Sequence, residues 1–164
     1  MSDPHDYGDA KPIFVVSDST GETAERVVRA ALLQFPWSFK RSEASEEWLR
    51  GLFRAFAGLP LVLEVRHASW EGPEVLEELA GAGVGIVNVD QPLFPGSLRP
   101  AAAVTSRVAY VRVHGRNWKD WFREDAGRDG RYDYLYRAGQ LAPWAERSRA
   151  LEAAPGAPDV YVVT

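Results

Sequence analysis

Residues 61–89 read LVLEVRHASWEGPEVLEELAGAGVGIVNV, and their pattern decides the class of fold. Leu61 to Arg66 is a short apolar, β-branched run suited to a strand. A helix follows from Gly72-Pro73 to about Ala80, with Val75, Leu76 and Leu79 turned inward and Gly83 closing it. Val84 to Val89 is then a second buried strand. Strands joined by a helical crossover lie parallel, because a parallel neighbour cannot be reached by a tight hairpin.

The same alternation continues on both sides. Downstream lie a Pro- and Gly-rich loop from Pro92 to Pro100, a strand at Val108–Val113, a loop region from Trp118 to Tyr136, a helix near Leu141 to Ala153 and a last strand at Val160–Val163. Upstream, a helix beginning at Ser45 carries Trp48, Leu49, Leu52, Phe53 and Phe56 on its apolar face and ends at Gly58. Leu32-Leu33-Gln34-Phe35 stops at Pro36 and reads either as the end of a helix or as a strand. Before it, Ile13–Val16 suits a strand, Ser17-Asp18-Ser19-Thr20-Gly21 a turn, and Ala24, Val27, Val28 and Ala31 the apolar face of a helix. The polar residues 1–12 read as a disordered tail, 13–34 as a strand–turn–helix segment and 35–164 as the main domain. Apolar strands alternating with amphipathic helices place the chain in the α/β class.

Composition narrows the function. The 164 residues are 46% hydrophobic, enough for one domain with a real core. A net charge of -4 with both signs interspersed lacks the broad positive field of a nucleic-acid binder. There is no cysteine, which removes disulfides, thiolate metal sites and a cysteine nucleophile. No run approaches the ~18 apolar residues of a membrane span, so the expectation is a cytoplasmic protein without nucleic-acid or membrane partners.

Parallel α/β folds bind ligands at the carboxyl ends of their strands. Those ends are polar here. Glu64, Arg66, His67 and Trp70 close the first full unit, Asp90 and Gln91 the second, and Arg112, His114, Gly115, Arg116 and Asn117 the third. Glu64 and Arg66 alternate with Leu63 and Val65, so both point to one face, where buried charges need partners. A structural Glu–Arg pair and a ligand-binding pair are both consistent with that placement. His67 and His114 with Glu64 or Asp90 are the residue types of a metal centre, but no fixed spacing ties them together. The expectation is hydrogen-bonded or acid–base histidines, with no metal and no cofactor. Trp37, Trp70, Trp118, Trp121, Tyr132, Tyr134 and Tyr136 present aromatic faces for core packing or for stacking on a sugar or base, the Arg131–Tyr136 run being best suited to binding. The candidate catalytic residues are therefore Glu64, His67, Asp90 and His114, and the candidate ligand-binding residues Arg66, Trp70, Arg112, Arg116 and Tyr134, acting on a small anionic ligand.

Phe35-Pro-Trp-Ser-Phe39, the run GLPLVLEVRHASW at 58–70, VNVDQP at 87–92, YVRVHGRN at 110–117 and RYDYLY at 131–136 together resemble, in order and spacing, the YecE-like family, domain of unknown function 72, over about residues 33–164. That resemblance implies a TIM-barrel-like fold of unestablished activity, with Glu64, Arg66, His67, Asp90, Arg112 and His114 lining the pocket at the top. The family's Gly-rich first strand and its Asn-rich closing segment have no counterpart here, which implies a partial barrel, incomplete at both ends. IFVVSDSTGETAERVVRAAL at 13–32 instead resembles the start of the regulatory kinase/pyrophosphorylases of phosphoenolpyruvate synthase and pyruvate, phosphate dikinase. The phosphate loop of that family has no counterpart here, and Gly21 reads as plain helix capping. The meeting of two resemblances suggests a fusion or truncated chimera. Three functions follow: a YecE-like barrel binding a phosphate, nucleotide or sugar-like ligand, a dikinase regulatory enzyme, or an inactive truncated product.

Overall fold

The computed structural model describes residues 30–123, 130, 132–155 and 159–164. The sequence-based strand, turn and helix of residues 13–29 lie outside the described residues. The element order is β1 (Ala31–Gln34), α1 (Glu43–Ala55), β2 (Leu61–Glu64), a single 3₁₀ turn (Ala68–Trp70), α2 (Pro73–Gly81), β3 (Val84–Asp90), β4 (Val108–Val113), α3 (Ala138–Glu152) and β5 (Asp159–Val163). Among the described residues the five strands are all parallel and adjacent in chain order, β1-β2-β3-β4-β5. The expected α/β class with parallel strands is what the chain forms, as an open sheet.

Several boundaries follow local chemistry. Ala31–Gln34 is a strand, paired Leu32 to Val62 and Gln34 to Glu64, which settles the two readings of the Leu-Leu-Gln run and takes Ala31 off the apolar face of a helix. Helix α1 starts at Glu43, earlier than the expected Ser45, because Ser42 and Ser45 cap each other: Ser45 N donates to Ser42 Oγ at 3.2 Å and Ser42 N to Ser45 Oγ at 2.8 Å. Strand β2 ends at Glu64, so Arg66 lies in the loop beyond it and not within the ladder.

The two faces of the sheet differ. Leu33, Leu61, Leu63, Val84 and Ile86 pack under α1 and α2 with Leu49, Val75 and Leu79, while Ala109, Val111 and Val113 pack under α3 with Trp144 and Leu151. The opposite, concave face carries Val62, Val87, Val89 and Tyr110, with Leu32, Tyr161 and Val163 partly covered. Gly85 lies on this concave face, where an added Cβ would stand 2.7 Å from the Val108 carbonyl oxygen and 2.9 Å from Val62 Cγ1. Glycine there lets the strand backbones curl together. The curl directs Gln34, Glu64 and Arg112 from three strands to one place at the carboxyl end of the concave face. Among the described residues no helix is long and apolar enough to cross a membrane.

Candidate functional site

Glu64, the last residue of β2, is fully buried and is the hub of the carboxyl-end cluster. Its Oε1 accepts from Arg66 Nε at 2.9 Å and from His114 Nε2 at 2.8 Å; its Oε2 accepts from Arg112 Nη1 at 3.2 Å. Arg66 Nη2 also stands 2.9 Å from Oε1. Arg112 Nη1 donates as well to Gln34 Oε1 at 3.0 Å. Gln34 is a member that the sequence-based reading missed; its signal was the strand register that places it beside Glu64 on the same face.

Burial pushes the Glu64 carboxyl up, but the His114 hydrogen bond and the adjacent positive charges outweigh it and bring it down to about 2. His114 is itself pushed below its usual value by burial, which outweighs its bond to Glu64. The consistent state at neutral pH is an ionised Glu64 accepting the Nε2–H of a neutral imidazole, a tautomer that leaves the lone pair on Nδ1. Among the described residues one buried carboxylate then faces two guanidiniums, Arg66 buried and Arg112 partly exposed, so the cluster holds one positive charge in excess. Arg112 Nε is buried without a hydrogen-bond partner.

Asp90, at the end of β3, forms a separate cluster. Arg116 grips it as a fork, Nε to Oδ2 at 3.0 Å and Nη2 to Oδ1 at 3.0 Å. The Tyr136 hydroxyl donates a short hydrogen bond to Asp90 Oδ2 and accepts from Gly115 N at 2.9 Å. Burial and then the Asp90 bond lift the Tyr136 phenol above its usual range, and the Asp90 bond raises Arg116. Gly115 has a φ of +85°, and a Cβ there would sit 2.7 Å from Tyr134 Cβ, so glycine lets the 132–136 segment close over the strand end.

The remaining candidates separate from these groups. His67 accepts from Ser69 N at 3.0 Å, capping the 3₁₀ turn, and its ring meets Trp37 edge-on at 4.9 Å. Burial and then Lys40 push its imidazole down. Trp70 is buried, stacked on Phe39 at 5.4 Å with its Nε1 donating to Phe39 O at 2.9 Å, and so belongs to the helix-facing core. Tyr134 accepts from Gln140 Nε2 at 2.7 Å and lies edge-on to Tyr136. Among the described residues no three His, Asp or Glu side chains gather as metal ligands.

A cavity of about 350 Å³ opens beside the Glu64 cluster, lined by Pro36, Trp37, Ser38, Arg66, Trp121, Phe122 and Tyr132. His114 joins the two groups: its ring lies 6.2 Å from Trp121 and 5.6 Å from Tyr132. Phe122 was no candidate in the sequence, since nothing local marks an exposed phenylalanine as a wall. A larger hollow of about 750 Å³ lies at the amino end of the sheet. Its Thr105 and Ser106 hydroxyls are engaged by strand backbone, Thr105 Oγ1 with Val84 O and Ile86 N, and Ser106 Oγ with Val108 O.

Known proteins agree with this architecture. The UPF0759 protein YunF of Bacillus subtilis (strain 168) is 28% identical over 130 residues, covering 74% of this chain and 46% of that protein. The crystal structure of a DUF72 family protein from Thermotoga maritima superposes with a TM-score of 0.76 at 34% identity, covering 87% of this chain and 52% of that one. The chain thus spans about half the length of these relatives, whose TIM-barrel-like architecture accounts for its curled but open sheet. A putative pyruvate, phosphate dikinase regulatory protein of Trichlorobacter lovleyi is 84% identical, but over only 25 residues, 9% of that protein. The family described as protein of unknown function DUF72 matches from residue 12 to residue 164, across every element of the sheet, and to that family the chain belongs.

Proposed function

We propose that the chain binds a small anion at the carboxyl ends of β2 and β4, with Arg66 as the contact group and Glu64 and His114 as an acid–base pair behind it. The observation that carries this reading is the charge excess: one fully buried carboxylate against two guanidiniums, Arg66 buried and Arg112 partly exposed, with a neutral histidine between them. Unneutralised buried charge is costly, and an incoming anion relieves it. The orphaned Arg112 Nε adds a donor without a partner.

Where proton transfer follows binding, His114 is the group suited to it. Its Nε2–H is held by Glu64, so Nδ1 carries the available lone pair, and its lowered affinity for protons keeps it unprotonated at neutral pH. Glu64 acts through His114, fixing its tautomer. Asp90 is neutralised by Arg116 and Tyr136, and His67 is engaged at the 3₁₀ turn, so neither supports an acid–base role as well as His114 does. Calorimetric titration with inorganic phosphate, sulfate and acetate at pH 7.5 tests the binding. Saturable uptake of at least one of them that Arg66→Met abolishes, with the circular dichroism unchanged, is the expected result. Equal uptake by Arg66→Met, or none by the parent chain, removes the proposal.

A further inference from the structure

The Glu64 cluster explains why an anion would enter, but not the shape of the cavity it enters. Of the seven residues lining that cavity, four are aromatic: Trp37, Trp121, Phe122 and Tyr132. They form two edge-on pairs, Trp37 with Phe122 at 5.7 Å and 71°, and Trp121 with Tyr132 at 6.0 Å and 88°. The Arg66 guanidinium carbon lies 5.6 Å from the Trp121 ring centroid. A guanidinium held against an indole stays planar and oriented. Its Nε and Nη2 face Glu64 and His114, and Nη1 has no partner among the described residues. One charged donor and four rings therefore line the same cavity.

Apart from Arg66, the polar groups on the lining side chains are few: the Ser38 and Tyr132 hydroxyls and the indole N–H groups of Trp37 and Trp121, of which Trp37 Nε1 is buried with no partner. A sugar carries a hydroxyl on nearly every carbon, and each one enclosed without a partner costs about 1–3 kcal/mol. Four π faces and one guanidinium are matched instead by a flat ring with little to hydrogen-bond and one oxyanion at its edge. Building on the anion-binding reading above, we infer that the ligand class of this site is a planar aromatic oxyanion, a ring or fused heterocycle bearing one carboxylate or phosphate, stacked among Trp37, Trp121, Phe122 and Tyr132 with its charge on Arg66.

Two matched series of ligands test this by calorimetry on the full chain: benzoate against acetate, and phenyl phosphate against inorganic phosphate. Stacking of a ring on an aromatic side chain contributes about 1–3 kcal/mol, so the ringed member of at least one series should bind roughly 10-fold or more tightly than its ringless partner. Whichever series shows the preference separates an aromatic carboxylate from an aromatic phosphate. Phe122→Ala removes a half-exposed ring with little strain on the fold and should cut that preference to about threefold or less, while uptake of the ringless anion stays as in the parent. Tyr132→Ala, also on an exposed ring, provides the same readout if Phe122→Ala misfolds. Ringless anions binding as tightly as ringed ones, with Arg66 still required, would overturn the aromatic class and leave the anion site standing. Binding by neither series would remove both.

Discussion

Glu64 and Asp90 end neighbouring strands, both buried and both held by arginine, yet their charge balance differs. Asp90 is neutralised one for one by the Arg116 fork, and its second oxygen is closed off by the Tyr136 hydroxyl. Glu64 faces Arg66, Arg112 and His114 together, beside an open cavity. A closed charge pair with its remaining lone pair occupied is what holds a loop in place. An over-neutralised carboxylate next to a cavity leaves electrostatic capacity for a further, negative group. On the proposed function the Asp90 cluster is scaffold, fixing the 132–136 segment that carries the Tyr132 wall, and the Glu64 cluster is the anion site.

The largest test of this contrast is Glu64→Gln. It leaves two guanidiniums in a buried site without their counter-charge, and loss of one partner from a buried ion cluster costs about 3–5 kcal/mol. Urea unfolding followed by tryptophan fluorescence should show that loss, and a value under about 1 kcal/mol would mean that solvent already neutralises the cluster. Asp90→Asn should cost less, about 2 kcal/mol, because Arg116 is half-exposed and can turn to water once the charge-assisted bonds are gone. Through movement of Tyr132 it should weaken the preference for ringed anions and leave Arg66-dependent uptake of ringless ones as in the parent.

Acid separates the two carboxylates further. His114 titrates below its usual value in the folded chain, so its contribution is complete above about pH 6.5 and drains as pH falls below that, when the unfolded chain takes up a proton the folded one resists. Glu64 titrates at about 2 against 4.5 when unperturbed, so its contribution is complete above 4.5 and is lost as pH falls from there towards 2. Urea midpoints across pH 8 to 3 should fall in both windows. The difference between the parent chain and Glu64→Gln should collapse in the lower one, while the difference between the parent and Tyr136→Phe should stay flat through the upper window. The smallest effect belongs to Tyr136→Phe, which removes the hydroxyl between Gly115 N and Asp90 at about 1 kcal/mol. Amide exchange at Gly115 should quicken with it.

Much of this architecture is legible in the sequence. Strand–helix alternation around 61–89 placed β2, α2 and β3, because period-2 and period-3.6 patterns are local properties of the chain. The same reading put Glu64, Arg66, Arg112 and His114 at strand ends. It left Leu32-Leu33-Gln34 open, since a four-residue apolar run before a proline has no periodicity of its own, and pairing with β2 decided it. Trp70 was grouped with the site because it follows a strand, but the turn that His67 caps swings it into the core against Phe39. Tyr134 and Tyr136 are two residues apart and alike in sequence, and only the closing of the loop over Gly115 gives Asp90 to Tyr136.

The sequence by itself determined the α/β class, the parallel order of elements and the inventory of charged groups at the strand ends, because each of these rests on spacing within a few residues. Tertiary structure alone decided the partners: that three strands bring Gln34, Glu64 and Arg112 together, that His114 rather than His67 joins them, and that Trp37, Trp121, Phe122 and Tyr132 face one cavity. Those meetings join residues tens of positions apart, and their distances are set by sheet curl and loop closure, which no local pattern encodes.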